Sequence, residues 1–147
     1  MPTPILRQLV GSAITLIGAN AIASGGYANA ADQMLVDNST VKAIQGDFEL
    51  DCTFGAAPVT GAVSLMAVDY SLDGATAGAA PSAALMPRFV GSFNPMPATG
   101  NTATSMMLRL SGVPLTGKTA YSIYNNGTGQ AILAGYTLRC QMVTPGT

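Results

Sequence analysis

From residue 47 to residue 54 apolar and polar side chains alternate without a break: Asp47, Phe48, Glu49, Leu50, Asp51, Cys52, Thr53, Phe54. A period of two puts Phe48, Leu50, Cys52 and Phe54 on one face of an extended chain and the polar residues on the other. That is the pattern of a half-buried β-strand. A turn over 55–61, carrying Pro58, leads to a second β-rich run at 62–70. This run ends in Ser71-Leu72-Asp73-Gly74, whose Asp-Gly pair favours a tight turn. The two runs predict a central hairpin, residues 47–74, to which the other strands are added.

The rest of the chain reads as further strands and turns. Residues 9–16 predict a first strand within an extended N-terminal arm, which gains stability by lying on the sandwich or on a neighbouring subunit. Residues 27–38 read as irregular, Asp37-Asn38-Ser39-Thr40 as a turn, and 41–44 as a short strand before Gly46. Residues 75–86, rich in Ala, Gly, Ser and Pro, form a loop long enough to suit a contact role. Strands follow at 87–93, 102–110, 120–125, 130–134 and 136–143, with connections at 94–100 and 112–118. Met106, Leu108 and Leu110 share a face in one of them; Tyr136, Leu138, Cys140 and Met142 alternate in the last. Asn125-Asn126-Gly127 carries the strongest hairpin-turn signal, because its residues accept positive φ. With about eight strands and no long helical period, the expected fold is all-β, an antiparallel β-sandwich or barrel. The expected organisation is an arm with the first strand over 1–30 and a β-sandwich over 31–147, since 147 residues suit one domain.

Composition narrows the function classes. Charged residues make up only 9%, against roughly 25% in an ordinary soluble domain. A surface so poor in charge is either covered by partners or rich in Ser, Thr, Asn and Gly, and the first reading is preferred. A formal net charge of -1 with no basic run argues against nucleic acid, whose phosphates need a positive footprint. The chain has no His, the commonest general base and transition-metal ligand. Lys42 and Lys118 are isolated and no Ser-x-x-Lys pattern occurs. Residues 112–118 lack the spacing of a phosphate loop. No catalytic, cofactor-binding or metal-binding residue is therefore assigned, and the chain is not read as an enzyme. Asp47, Glu49 and Asp51 share one strand face; calcium is one reading, but a solvated or partner-facing acidic stripe, met by Lys or Arg, is preferred. Asp69 and Asp73 are read in the same way.

Cys52 and Cys140 fall on apolar strand faces. They are core thiols or a disulfide between distant strands, the first being preferred. Arg7, the apolar stretch 9–22 and Ala28-Asn29-Ala30 imitate a secretory leader, but Gly11, Ser12, Thr15, Gly18 and Asn20 dilute the apolar part. The stretch is also short for a membrane span. Asn38-Ser39-Thr40 and Asn126-Gly127-Thr128 fit the glycan-acceptor pattern and equally fit turns. The Met residues, among them Met66, Met106, Met107 and Met142, read as core filling.

One ordered set of short motifs resembles a known group. Ala30-Ala31-Asp32-Gln33 and Asp37-Asn38-Ser39-Thr40 precede Tyr70-Ser71-Leu72-Asp73-Gly74. Val90-Gly91-Ser92-Phe93, Leu110-Ser111-Gly112-Val113-Pro114-Leu115 and Tyr124-Asn125-Asn126-Gly127-Thr128-Gly129 follow. Over residues 28–143 this set resembles small virion structural proteins of tailed bacteriophages, some of which are jelly-roll β-sandwiches that cement or decorate the capsid. The resemblance implies a jelly-roll-like sandwich and a capsid cement or decoration protein. Such a protein binds the outer surface of the shell, bridges neighbouring capsomers, and is assembled in the bacterial host cytoplasm. Its expected partners are the major capsid protein and copies of itself, as a homodimer or homotrimer, with no nucleic acid, membrane or cofactor. A tail or baseplate receptor-binding sandwich and a secreted adhesin or pilin-like subunit remain as alternatives.

Overall fold

The computed structural model describes residues 7–70, 78, 88–93 and 102–145. Eight strands follow in order: β1 (Arg7–Ile17), β2 (Met34–Asp37), β3 (Gln45–Thr53), β4 (Ala62–Asp69), β5 (Arg88–Phe93), β6 (Ser105–Pro114), β7 (Lys118–Asn126) and β8 (Thr137–Pro145). They form two four-stranded antiparallel sheets, ordered β1-β8-β3-β6 and β2-β7-β4-β5. This is the order of the eight-strand jelly roll, a double-sheet sandwich of two Greek keys. The expected all-β sandwich is thus the fold.

The central hairpin is not. Both of its runs are strands, but β3 lies between β8 and β6 in one sheet and β4 between β7 and β5 in the other. Residues 54–61 therefore carry the chain from sheet to sheet. Alternation and turn residues report a strand and its end, whereas the partner is set by backbone groups common to all residues. The same correction applies at Asn125-Asn126-Gly127. Gly127 does adopt a left-handed φ of 69°, yet β7 and β8 belong to different sheets. Residues 130–134 form no strand; Ile132 alone bridges Ile22 and Phe54. Residues 27–38, expected to be irregular, contain β2, with Met34 and Val36 buried. Residues 41–44, expected as a strand, belong to a turn closed by the Asn38 side chain, which accepts from Ala43 N at 2.7 Å and donates to Ala43 O at 2.8 Å. The turn at 71–74 and the loop at 94–100 lie outside the described residues, as does the loop at 75–86 apart from Gly78.

The core lies between the sheets. Phe48, Leu50 and Cys52 of β3 and Leu138, Cys140 and Met142 of β8 face Val63, Leu65 and Ala67 of β4 and Tyr121 and Ile123 of β7. Phe48 and Tyr121 meet with ring centroids 4.7 Å apart, tilted by 57°. Full burial of each large apolar side chain contributes about 1.5–3 kcal/mol.

The described part of the N-terminal arm lies on its own sandwich. β1 pairs with β8 from Arg7↔Pro145 to Ile17↔Thr137. Gly18 then exchanges hydrogen bonds with the 135–136 backbone: its N–H donates to Tyr136 O at 2.8 Å and its carbonyl accepts from Gly135 N at 2.7 Å. Asp32, buried, accepts from Ala19 N, Asn20 N and Asn20 Nδ2, each at 3.0 Å. Tyr27 stacks on Tyr124 at 4.3 Å. Polar groups are thus matched across a segment that hydrophobic pattern alone leaves undefined.

Candidate functional site

The two sheets differ in what their outer faces offer. The register Met66↔Ser122 and Val68↔Ala120 puts these residues on the outer face of the β2-β7-β4-β5 sheet, yet all four are buried. On the β1-β8-β3-β6 sheet the outward side chains are largely accessible, and this face holds the acidic stripe.

Three strands in register build its charged row: Arg139 of β8 and Arg109 of β6 both lie opposite Glu49 of β3. Arg109 contacts Glu49 Oε2 through Nη2 at 2.8 Å and Nε at 2.9 Å, and Arg139 Nη1 meets Glu49 Oε1 at 2.9 Å and also Asp51. The bond to the Asp51 side chain, ahead of the charges of Asp51 and Glu49, holds the Arg139 guanidinium above its ordinary pKa against the opposing effect of burial. Asp47 has a different task. Its Oδ1 accepts from Gly112 N at 3.0 Å, where β6 bulges against β3 and Gly112 adopts a φ of 73°. Gln141 likewise donates to Val10 O and Gly11 O at the bulge in β1.

The structure therefore brings Asp47, Glu49 and Asp51 together as the alternation predicts, but supplies their arginines from within the chain. The sequence gives no hint of these pairs, because Arg109 and Arg139 lie 60 and 90 residues beyond Glu49. With two guanidinium groups against three carboxylates, the row is nearly neutral. A groove of about 310 Å³ runs beside it, lined among others by Leu9, Ala13, Glu49 and Arg139. Leu9, Ile17 and Met107 stand exposed on the same face at 63%, 69% and 61%. Met107 thus departs from the expected core role, which Met142 fills and Met106 shares half-buried, while Met66 is buried on the outer face of the other sheet.

A second depression, about 380 Å³, lies at the end of the sandwich between Asp51, Ser105, Met107 and Thr137, with Cys52 in its wall. Burial, and secondarily the Asp51 carboxylate, pushes the Cys52 thiol up to about 12; burial and Asp47 do the same for Cys140. Neither thiol is a nucleophile at neutral pH. Nor are they bonded to each other. Cys140 lies opposite Phe48, four residues along β3 from Cys52, roughly 13 Å at about 3.3 Å per residue, whereas a disulfide needs Cα atoms within about 7 Å.

Among the described residues no three Cys, Asp and Glu side chains are grouped to hold a metal ion. Asp69 ends β4, and Asp73 is outside the described residues. Of the two glycan-acceptor patterns, Asn38 is buried in its turn and Thr128 is buried against Asn125, so both patterns serve local structure. The sequence reading missed Asn125 itself. Fully buried, it donates to Ile22 O at 3.1 Å and Gln130 O at 2.8 Å and accepts from Thr128 Oγ1 at 2.6 Å. Compared with known proteins, the chain matches no family model and no curated sequence.

Proposed function

We propose that this chain is a capsid cement or decoration protein of a tailed bacteriophage. It packs on the outer surface of the major capsid protein and bridges neighbouring capsomers. The observation that carries the reading is the outer face of the β1-β8-β3-β6 sheet. Glu49, Asp51, Arg109 and Arg139 pair with one another and Asp47 accepts a backbone hydrogen bond, while Leu9, Ile17 and Met107 stand exposed beside them. Such a face can be covered by a partner without stranding an unpaired charge, the main cost of burying ionic groups. A charge content of 9% fits a molecule whose surface is shared with neighbours. The jelly roll is an architecture used by viral capsid proteins, though also by lectins and cupins. Two buried, unpaired thiols are at ease in the reducing cytoplasm where a phage assembles.

Electron microscopy of purified particles, with mass spectrometry of their proteins, tests the reading. The expected result is the chain in many ordered copies on the shell, seated through the β1-β8-β3-β6 sheet. Finding it in the tail, or in no particle, refutes the proposal.

A further inference from the structure

β1 is an edge strand: β8 pairs with one side, and no described strand pairs with the other. Proteins blunt such edges with charge, proline or shortness, because unpaired N–H and C=O groups template pairing with another chain. The other edges follow the rule. β2 has four residues, β5 begins at Arg88, and β6 carries Arg109 and Pro114. β1 has eleven residues, with neither charge nor proline from Gln8 to Ile17. Its one blunting device is the bulge between Val10 and Ile14. Burial along it is incomplete too. Val10, Ile14 and Leu16 pack on the core yet stay only half-buried, and Leu9 and Ile17 project outward.

We propose that β1 pairs edge to edge, antiparallel, with β1 of a second copy of this chain, about a two-fold axis beside Ile14. The register follows from β8. Val10 and Ile14 lie opposite Met142 and Cys140, so the bulge compresses four residues of β1 into the length of two. An axis at Ile14 then sets Ile14 against Ile14, Leu16 against the other copy's Val10, and Ile17 against its Leu9. The bulge falls opposite Thr15. Opposed residues share a face, core side with core side and outer with outer. Each unlike pair occurs twice by symmetry, every pair among these five residues is apolar, and no charge in the paired span is desolvated. Main-chain hydrogen bonds supply the attraction and the alternating side chains the register, as in strand addition generally. The pairing joins two β1-β8-β3-β6 sheets into one of eight strands. It does not depend on the shell reading, and its test uses no particles.

The experiment is sedimentation of the full chain over a range of concentrations, combined with cysteine cross-linking. A concentration-dependent dimer is expected. Leu9→Lys should weaken it by about tenfold or more, since each copy then sets an ammonium against Ile17. Met107→Lys, on β6 across the sheet, should leave it unchanged. Chains carrying L9C should cross-link under mild oxidation with chains carrying I17C, and each variant alone much less; the native thiols are buried. Circular dichroism confirms that the variants fold. A monomer at every concentration, or L9C joining L9C as readily as I17C, overturns the proposal.

Discussion

Gly18 and Tyr136 are locked against each other, and a single methyl group tests how tightly. A Cβ on Gly18 would lie 2.0 Å from Tyr136 Cζ, 2.1 Å from Cε1 and 2.6 Å from Cε2, where carbon atoms in contact need about 3.5–4.0 Å. Relief requires a shift of about 1.5 Å by the ring or the backbone. The ring is 2% exposed, and the backbone is pinned by the hydrogen bonds of 2.8 Å and 2.7 Å at Gly18. Gly18→Ala should therefore reach the upper end of the overpacking range, about 3 kcal/mol. At about 2–4 °C per kcal/mol for a domain of this size, Tm falls by about 6–12 °C. Thermal and urea denaturation measure it. Combining Gly18→Ala with Tyr136→Leu removes the ring the methyl strikes, so the double variant should be about 2 kcal/mol more stable than additivity predicts. Tyr136→Phe keeps the ring and should give no rescue. A Gly18→Ala cost under about 0.5 kcal/mol, or strict additivity with Tyr136→Leu, would refute the reasoning.

Further outcomes are expected at the two thiols, at Asn125 and at Glu49. Reductant should leave Tm unchanged, and a thiol reagent at neutral pH should label Cys52 and Cys140 only on unfolding. Because folding raises both thiols from 9.0 to about 12, the unfolded chain ionises first, so stability should fall as pH rises from about 9 toward 12. Asn125→Ala should cost about 2 kcal/mol or more in urea titration, since it removes two hydrogen bonds donated to the Ile22 and Gln130 carbonyls and one accepted from the Thr128 hydroxyl, each worth about 0.5–1.5 kcal/mol. Glu49→Gln should cost less than about 1 kcal/mol, diminishing with added salt, because the paired Arg109 side chain is 68% exposed.

The contrast between Leu138 and Asp32 marks what the sequence makes legible. Leu138, Cys140 and Met142 alternate with polar residues, and a strand half in the core obliges that order, so β3 and β8 could be read directly. Their partners could not, because main-chain hydrogen bonds leave no trace in side-chain identity. Consecutive strands here mostly lie in opposite sheets, so proximity in sequence pointed to the wrong neighbour. Asp32 and Asn125 look like ordinary turn residues among Ala and Gly; only the tertiary fold aims backbone donors or acceptors at them. The acidic stripe was legible and its arginines were not, for the same lack of register.

The β1–β8 pairing has a consequence for how the molecule forms. The first described strand must wait for the last: Arg7 finds Pro145 only after everything between them has been made. Of the lateral pairings in the two sheets, only β4 with β5 joins neighbours in sequence. The loop-closure entropy of the others must be met before their contacts reward it, so folding should be slow, in the range of about milliseconds to seconds typical of non-local β topologies. During synthesis β1 therefore has no native partner while its uncharged run from Gln8 to Ile17 is free to meet other nascent chains, which makes early capture of β1 the step on which a good yield depends.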